Sequence, residues 1–188
     1  MLVIGIDPGT ATTGYGVVRN SADRLIAVDY GYIKTPAREK PGARLEEVYL
    51  GVRALIDRYR PDAVAVEELF FNRNTKTALA VGQARGVILL AVARSRVELF
   101  EYTPLQVKQA IAGYGRADKT QMQRMIKLLL GLTEIPSPDD AADALAIAVC
   151  HLHSVRFAAT VRTASGTTRS SGGATTIRPI EHSEEIST

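Results

Sequence analysis

Residues 2–34, LVIGIDPGTATTGYGVVRNSADRLIAVDYGYIK, contain three strand-like segments joined by short turns. Residues 2–6 are continuously apolar and end at an Asp-Pro-Gly turn. Residues 14–19 and 25–34 are rich in Val, Ile, Leu, Tyr and Gly, with a polar turn at 21–23 between them. These patterns predict three β-strands. Because the links are short, we expect the strands to pair as an antiparallel meander.

Helices and strands alternate after this meander. Apolar residues at helical spacing predict helices, and short β-branched runs predict strands. Thr or Ser followed by Pro is typical of a helix start, with the hydroxyl residue as cap. The predicted elements are strands at 63–66 and 97–102, and helices over 41–59, 75–93 and 118–130 and from Thr103 and Ser137 onward. Their order predicts an α/β fold with a mixed five-stranded sheet flanked by helices.

Composition divides the chain into a folded part and a tail. Hydrophobic residues make up 46% of the 188 residues, which is enough for the core of one domain. Residues 155–188 hold 12 Ser or Thr in 34 positions and few large apolar side chains. We therefore expect one folded domain over residues 1–154 and a disordered tail over residues 155–188. The net charge of +3 permits an anionic partner.

Cysteine content and hydropathy indicate a cytoplasmic protein. The single cysteine, Cys150, lies in the apolar run AIAVC, which predicts a buried, reduced thiol and excludes an internal disulfide. The apolar start is broken at Asp7 and is too short for a secretory signal. No run approaches the roughly 20 apolar residues of a membrane helix, so we expect no membrane contact.

Four carboxylates form the candidate catalytic group. Asp7 ends the first predicted strand, Glu67 ends the fourth, and Asp140 and Asp143 lie three apart on a helix and so share one face. Clustered carboxylates repel each other unless a divalent cation neutralises them, and hard oxygen ligands suit Mg²⁺ or Mn²⁺. Two such ions can activate water and stabilise the leaving oxygen in phosphodiester cleavage. The pattern thus favours a magnesium-dependent nuclease.

Each acid also has a structural interpretation. Asp7 is a suitable turn residue before Pro-Gly, and Asp139 is best interpreted as complementing a helix N-terminus. Asp143 is harder to explain structurally, because it lies among Ala and Leu inside a helix. Glu67 and Glu68 would point to opposite faces of a strand, and a strand buried on both faces gives no parity clue. The residue pattern alone leaves the choice between these two open.

Five segments resemble the RuvC family in order and spacing over residues 4–147: IDPGT, VEELFF, GQARG, VKQA followed by GYG and ADK, and DDAADALA. The resemblance implies a ribonuclease-H-like fold and a homodimer that cuts opposed strands of a four-way (Holliday) junction in DNA recombination and repair. It implies metal ligands at Asp7, Glu67 rather than Glu68, Asp140 and Asp143, with two Mg²⁺ per site and Mn²⁺ able to substitute. It also implies cooperation with the RuvA–RuvB branch-migration complex.

Basic residues flank these acids in the chain. Between Glu68 and Glu98 there are five basic residues and no acidic one. Between Tyr102 and Leu130 there are five basic residues and one acidic residue. A charge run is usually a solvated helix face, but this asymmetry of sign indicates phosphate contacts. The basic residues expected to bind DNA are Arg73, Lys76, Lys108 and Lys119. The resemblance implies that Lys108 and Lys119 lie near the catalytic group.

Two aromatic residues follow the fourth predicted strand. Adjacent aromatics at a strand end are usually core residues, which is our interpretation of Phe71. The resemblance implies that Phe70 instead stacks on an unpaired base near the crossover, an interaction that needs little sequence information. Phe70 is therefore an expected DNA-binding residue.

The glycines and histidines outside these motifs receive simpler interpretations. Gly82 and Gly86 lie in a helical pattern that they weaken, so we expect close packing there, as a helix–helix contact between subunits. His151 and His153 are two residues apart and on different helix faces, so we expect a surface role and no metal binding.

Two other functions compete with the nuclease. DPGTATTGYG is similar to the phosphate loop of actin-like and sugar kinases, but such phosphotransferases need two domains and a second loop, for which this chain is too short. A junction-binding module without catalysis is the other alternative, and the presence of all four acids argues against it. The predicted function is a magnesium-dependent crossover junction endonuclease.

Overall fold

A computed structural model of the chain describes residues 1–22, 24–68 and 75–164. Within these residues, five strands and five helices follow the predicted order. The strands are β1 (Leu2–Asp7), β2 (Thr12–Ser21), β3 (Arg24–Lys34), β4 (Ala63–Glu67) and β5 (Glu98–Tyr102), and the helices are α1 (Pro41–Tyr59), α2 (Thr75–Ser95), α3 (Pro104–Ala112), α4 (Lys119–Leu129) and α5 (Asp139–Ala164).

The strands form one mixed sheet in the order β3-β2-β1-β4-β5. The first three strands pair as the predicted antiparallel meander, and β1, β4 and β5 are parallel. The parallel strands therefore direct their carboxyl ends to one edge of the sheet. That edge carries Asp7 and Glu67.

The sheet separates two hydrophobic cores. On one face, Val3, Ala63 and Ala65 pack with α3, α4 and α5. On the other face, the alternate strand residues, including Ile4 and Val64, pack with α1 and α2. Fully burying an aliphatic side chain contributes about 1.5–3 kcal/mol, so both cores hold the sheet between helical layers.

Glycines allow α5 to lie directly on the strands. A Cβ built on Gly5 would lie 2.1 Å from the carbonyl oxygen of Ala144, and one built on Gly14 would lie 2.0 Å from that of Asp140. Real Cβ atoms do not approach oxygen so closely, so any other residue at either position would push α5 away. The two glycines therefore set the distance between β1, β2 and the first turns of α5.

Side-chain caps define the starts of two helices next to the site. Thr103 caps α3 as predicted, and its hydroxyl accepts a hydrogen bond from the backbone N–H of Gln106. Asp118 caps α4 in the same way through Gln121, which places Lys119 in the first turn. A cap at Ser137 would make Pro138 the first residue of helix α5. The helix instead begins one residue later, at Asp139, and the Pro138 carbonyl accepts a hydrogen bond from the N–H of Ala141.

The last helix extends beyond the predicted domain boundary at residue 154. It continues to Ala164, so residues 155–164 are helical, whereas residues 165–188 lie outside the described part of the chain.

Contrary to expectation, segments of α2 (Ala78–Ser95) and α5 (Asp139–Val161) are long and apolar enough to match a membrane span by length and composition. Both helices contribute residues to the cores, and core helices meet the same criteria.

The environment of His151 corrects the expectation of a surface role. This side chain is fully buried, its Nδ1 lies 2.8 Å from the Tyr102 hydroxyl, and its ring centroid lies 4.2 Å from that of Phe100. Burial lowers the pKa of His151. The neighbouring Cys150 is a buried free thiol, as predicted. His153 is half-buried, with its Nδ1 3.1 Å from the Ala110 carbonyl oxygen.

Candidate active site

The sheet register places Asp7 beside Glu67. Ile6 pairs with Val66 across the parallel strands β1 and β4, so the next residue on each strand projects from the same face. Glu67 continues the alternation of Ala63 and Ala65, which both pack toward α5. Packing therefore places Glu67 on the α5 face of the sheet, whereas Glu68 lies beyond the end of β4.

Helix α5 brings the other two acids to the same edge. Asp140 and Asp143 lie in its first turns, and the backbone of Asp140 rests against Gly14, the partner of Asp7 across β1 and β2. Asp143 interacts electrostatically with both Asp7 and Glu67. The four predicted acids therefore come from β1, β4 and α5, and the other three lie close enough to Asp7 to interact with it electrostatically.

Burial and mutual repulsion alter how these acids titrate. Burial raises the pKa of Asp7 to about 8, with added repulsion from Glu67, Asp143 and Asp140 and an opposing effect of Lys119. Burial raises the pKa of Glu67 to about 7, with added repulsion from Asp143 and an opposing effect of Lys108. Burial also raises the pKa of Asp143. Burial and mutual repulsion together therefore disfavour full ionisation of the cluster.

Lys119 is held at the rim by an acid outside the predicted four. Its Nζ lies 2.9 Å from Asp139 Oδ2 and 3.6 Å from Asp143 Oδ2. Asp139 Oδ1 also accepts a hydrogen bond of 2.8 Å from the Gln123 amide. The hydrogen bond from Lys119 lowers the pKa of Asp139. The sequence interpretation assigned Asp139 only to the helix N-terminus. It did not predict the contact with Lys119, through which Asp139 positions the lysine.

A cleft connects the acids to both predicted lysines. It is lined by Glu67, Pro104, Val107, Lys108, Lys119, Met122, Asp143 and Ala146. The two lysines come from α3 and α4, so the capped starts of those helices bring positive charge to the edge of an acidic site. Phe70, Phe71 and Arg73 lie outside the described residues, as does the side chain of Lys76 in α2.

A second depression adjoins Asp140 on the β3 side. It is lined by Thr12, Tyr32, Lys34, Ser137, Pro138 and Asp140. None of the first five was predicted from the sequence as a site residue. Alternating exposure along β3 places both Tyr32 and Lys34 outward, but only the packing of α5 brings Asp140 beside them.

The donor set fits a divalent cation in chemistry and charge. Four carboxylates offer hard oxygen ligands, and a bound cation would favour the ionised forms of Asp7, Glu67 and Asp143, whose pKa values are raised by burial. As the side chains stand, no three His, Cys, Asp or Glu groups in the described ranges are arranged to hold an ion. Cation binding would therefore require rotation of these side chains, including Asp143 away from Lys119.

Sequence similarity supplies the family. The family model described as crossover junction endodeoxyribonuclease RuvC matches residues 3–151. The chain belongs to the RuvC family. The family predicted from the five motifs is thus confirmed, and family membership argues against the phosphotransferase alternative.

Curated and solved RuvC proteins agree over the folded part. A crossover junction endodeoxyribonuclease RuvC of Desulfitobacterium hafniense (strain DSM 10664 / DCB-2) is 61% identical over 157 residues, which are 84% of this chain and 95% of that protein. The Thermus thermophilus RuvC structure matches with a TM-score of 0.77 and 40% identity, covering 84% of this chain and 97% of that one. The T. thermophilus RuvC in complex with Holliday junction substrate matches with a TM-score of 0.77 and 38% identity, covering 84% and 96%. The predicted ribonuclease-H-like fold is confirmed.

Proposed function

We propose that this RuvC chain is a metal-dependent endonuclease that resolves Holliday junctions by cutting two opposed strands. The observation that carries the proposal is the convergence of Asp7, Glu67, Asp140 and Asp143 from three elements at one edge of the sheet. Lys108 and Lys119 at the rim supply the opposite charge that a DNA phosphate requires. The relative from T. thermophilus that shares this fold was solved with a Holliday junction.

The four acids are proposed to hold two Mg²⁺ ions, with Mn²⁺ able to substitute. Ions bound there would activate water for in-line attack on phosphorus and stabilise the departing 3′-oxygen, so that no covalent enzyme intermediate is needed. The support is the donor chemistry and the mutual repulsion of the acids, which a divalent pair would neutralise. Burial of Asp7 and Glu67 makes this repulsion strong, because screening by water is weak there.

The lysines are proposed to position the scissile strand. Lys119 would bind the scissile phosphate, and Asp139 would hold the lysine ready through their 2.9 Å contact. Lys108, which faces Glu67 across the cleft, would bind a neighbouring phosphate. Arg73 and Lys76 are proposed as further phosphate contacts, and Phe70 as the ring that stacks on an unpaired base. These three proposals rest on sequence and family resemblance.

Dimerisation through α2 would give one active site for each cut strand. Leu79 and Leu90 are 67% and 52% exposed, and with Gln83 and Gly86 they follow one helix face at spacings of three and four residues. A Cβ on Gly86 would meet no atom within 4 Å, so the close packing expected at this glycine does not occur within the described chain. This open glycine supports a helix contact with a second copy. A two-fold axis would then relate two sites as it relates two like strands of a junction.

The cellular role is proposed from the family alone. We place the protein in the cytoplasm, in DNA recombination and repair, acting with the RuvA–RuvB branch-migration complex. Residues 165–188 extend beyond the match to the family, and their Ser- and Thr-rich composition supports a tail that does not contribute to catalysis.

Cleavage of a labelled four-way junction tests the proposal. The full chain should cut the junction symmetrically with Mg²⁺, fail to cut in EDTA, and leave a linear duplex intact. Asp7→Asn should abolish cleavage while it retains junction binding, because it removes a metal-ligand charge with little change of shape. Asp57→Asn is the matched control, because Asp57 lies on α1 with its side chain 66% exposed. This variant should cleave the junction as the parent does.

Three results would contradict the proposal in different ways. Equal cutting of junction and duplex would indicate a general nuclease. Tight junction binding by the parent without cleavage in Mg²⁺ or Mn²⁺ would indicate a binding module without catalysis. Parent-like cleavage by Asp7→Asn would remove Asp7 from the site.

A further inference from the structure

The depression on the β3 side of Asp140 has the composition of a nucleic-acid contact. Thr12 and Lys34 pair across β2 and β3 at one wall, and Tyr32 lies two residues away on the same exposed face. Ser137 and Pro138, just before α5, form the other wall. The depression therefore combines a cation, an aromatic ring and hydroxyl groups at the sheet edge that carries the acids.

Its position relative to the acids is informative. Asp140 lines this depression, whereas Glu67 and Asp143 line the cleft that contains Lys108 and Lys119. The four acids thus lie between two depressions, each with at least one lysine. A DNA strand cut at the acids must leave the site on both sides of the scissile phosphate, and the described residues offer one such path on each side.

Lys34 is available for this contact. It is exposed at the last position of β3, and no ion pair within the described ranges involves it. The Tyr32 side chain is also accessible, with 47% of the residue exposed. An exposed Tyr ring next to a free cation is suited to pack on a sugar or base while the cation binds the adjoining phosphate.

We infer that this depression is a second DNA subsite, in which Lys34 binds a backbone phosphate and Tyr32 packs against the adjoining nucleotide. It would hold the cut strand on the opposite side of the acids from Lys108 and Lys119. The inference rests on the proposed nuclease function and adds two positioning residues to it.

The same strand provides matched controls. Arg24 lies at the other end of β3, is exposed and carries the same charge, and a register shift in the pairing of β2 with β3 separates it from Lys34. Tyr30 lies two residues before Tyr32, is 37% exposed and does not line the depression. Arg24→Ala and Tyr30→Ala therefore remove the same chemistry from the same edge strand at positions away from the acids.

The experiment measures junction affinity of the full chain at several salt concentrations, with Ca²⁺ in every sample. Lys34→Ala should weaken binding and reduce the slope of log affinity against log salt by about 0.9, because one phosphate contact is lost. Tyr32→Ala should weaken binding about tenfold with an unchanged slope, because an uncharged ring releases no counterion. Arg24→Ala and Tyr30→Ala should bind as the parent does, and Lys34→Arg should restore the slope.

Several outcomes would overturn the inference. Parent-like slope and affinity for Lys34→Ala, with a reduced slope for Lys108→Ala, would reject the second subsite and leave the proposed function intact. Equal losses for Arg24→Ala and Lys34→Ala would show a general charge effect and would also reject it. If Lys34→Ala unfolds, a Lys34→Gln variant that folds and retains the parent slope would reject it as well. Failure of the parent itself to bind or cut a junction would instead reject the proposed function.

Discussion

The two faces of the sheet pack their helices in different ways. On the α1 and α2 face, large aliphatic residues such as Ile4 and Ile88 keep the helices at a full side-chain distance from the strands. On the α5 face, Gly5 and Gly14 lie beneath the helix backbone, and α5 contributes small residues such as Ala144. Both faces bury a hydrophobic core, but only on the second do small residues allow close approach of a helix that carries two acids.

This difference associates the proposed catalytic acids with one face of the sheet. A helix that lies directly on β1 and β2 can direct Asp140 and Asp143 toward strand-end acids, whereas a helix at ordinary distance could not. Positioning to within a fraction of an ångström matters for a reaction at phosphorus, since a misplacement of about 1 Å can cost roughly 100-fold in rate. We therefore expect substitutions on the two faces to have different consequences.

Among variants that alter packing, Gly14→Ala should cause the largest loss of cleavage, about 100-fold or more. Its Cβ would lie 2.0 Å from the Asp140 carbonyl oxygen, so the first turn of α5 must move away from Asp7. The measurement is single-turnover cleavage of a four-way junction at saturating Mg²⁺. Gly42→Ala is the control, because a Cβ on Gly42 meets no atom within 4 Å. Parent-like cleavage by Gly14→Ala would show that close approach of α5 is unimportant.

Ile88→Ala should lower the unfolding free energy but leave the cleavage rate of the folded protein nearly unchanged. Ile88 is fully buried on the α1 and α2 face, and its truncation should cost about 2–5 kcal/mol of unfolding free energy. Denaturant titration measures this loss. Cleavage below the melting temperature should stay close to the parent rate, because the residue does not touch the α5 face. A large fall in the cleavage rate of the folded variant would contradict the separation of the two faces.

The stability of the metal-free protein should fall as pH rises from 7 to 8.5. The pKa values of Asp7 and Glu67 are raised to about 8 and about 7, so stability associated with their protonated forms is lost as pH rises through these values. The buried His151 does not interfere, since its pKa is lowered and the unfolded side chain is also mostly neutral above about pH 7.

Calorimetry in EDTA should therefore show a decrease of roughly 2–4 °C per pH unit, given about 1.4 kcal/mol for one proton. Mg²⁺ should raise the melting temperature more at pH 8.5 than at pH 7, because binding releases protons. Asp7→Asn should flatten the decrease. A pH-independent melting temperature in the parent would contradict the crowding of acids on the α5 face.

Asp139→Asn should have the smallest effect, a few-fold loss of cleavage. The variant weakens the contact between residue 139 and Lys119. The side chains of this ion pair are about half exposed, and exposed ion pairs contribute roughly 0–1 kcal/mol. Melting temperature should not change, whereas the apparent affinity for the junction should fall slightly. A loss as large as that of Asp7→Asn would instead place Asp139 among the metal ligands.

Local patterns predicted most of the elements and their caps. The five strands and the Thr103 cap were predicted from short-range chemistry, because apolar periodicity and turn residues act within a few positions. His151 was wrongly expected at the surface, because its burial depends on Phe100 and Tyr102, which are about 50 residues away in the chain. The domain boundary at residue 154 fell inside a helix, because composition there changes before the helix ends.

The sequence by itself determined the order of the strands along the chain and the family, and it predicted the four acids. Tertiary structure alone decided that Glu67 lies on the α5 face, that Asp139 contacts Lys119, and that Tyr32 and Lys34 lie beside Asp140. The physical reason is that a side chain's direction follows from strand register, and its neighbours follow from how closely a helix packs. Both depend on contacts between residues far apart in the chain, such as Gly14 against the backbone of Asp140.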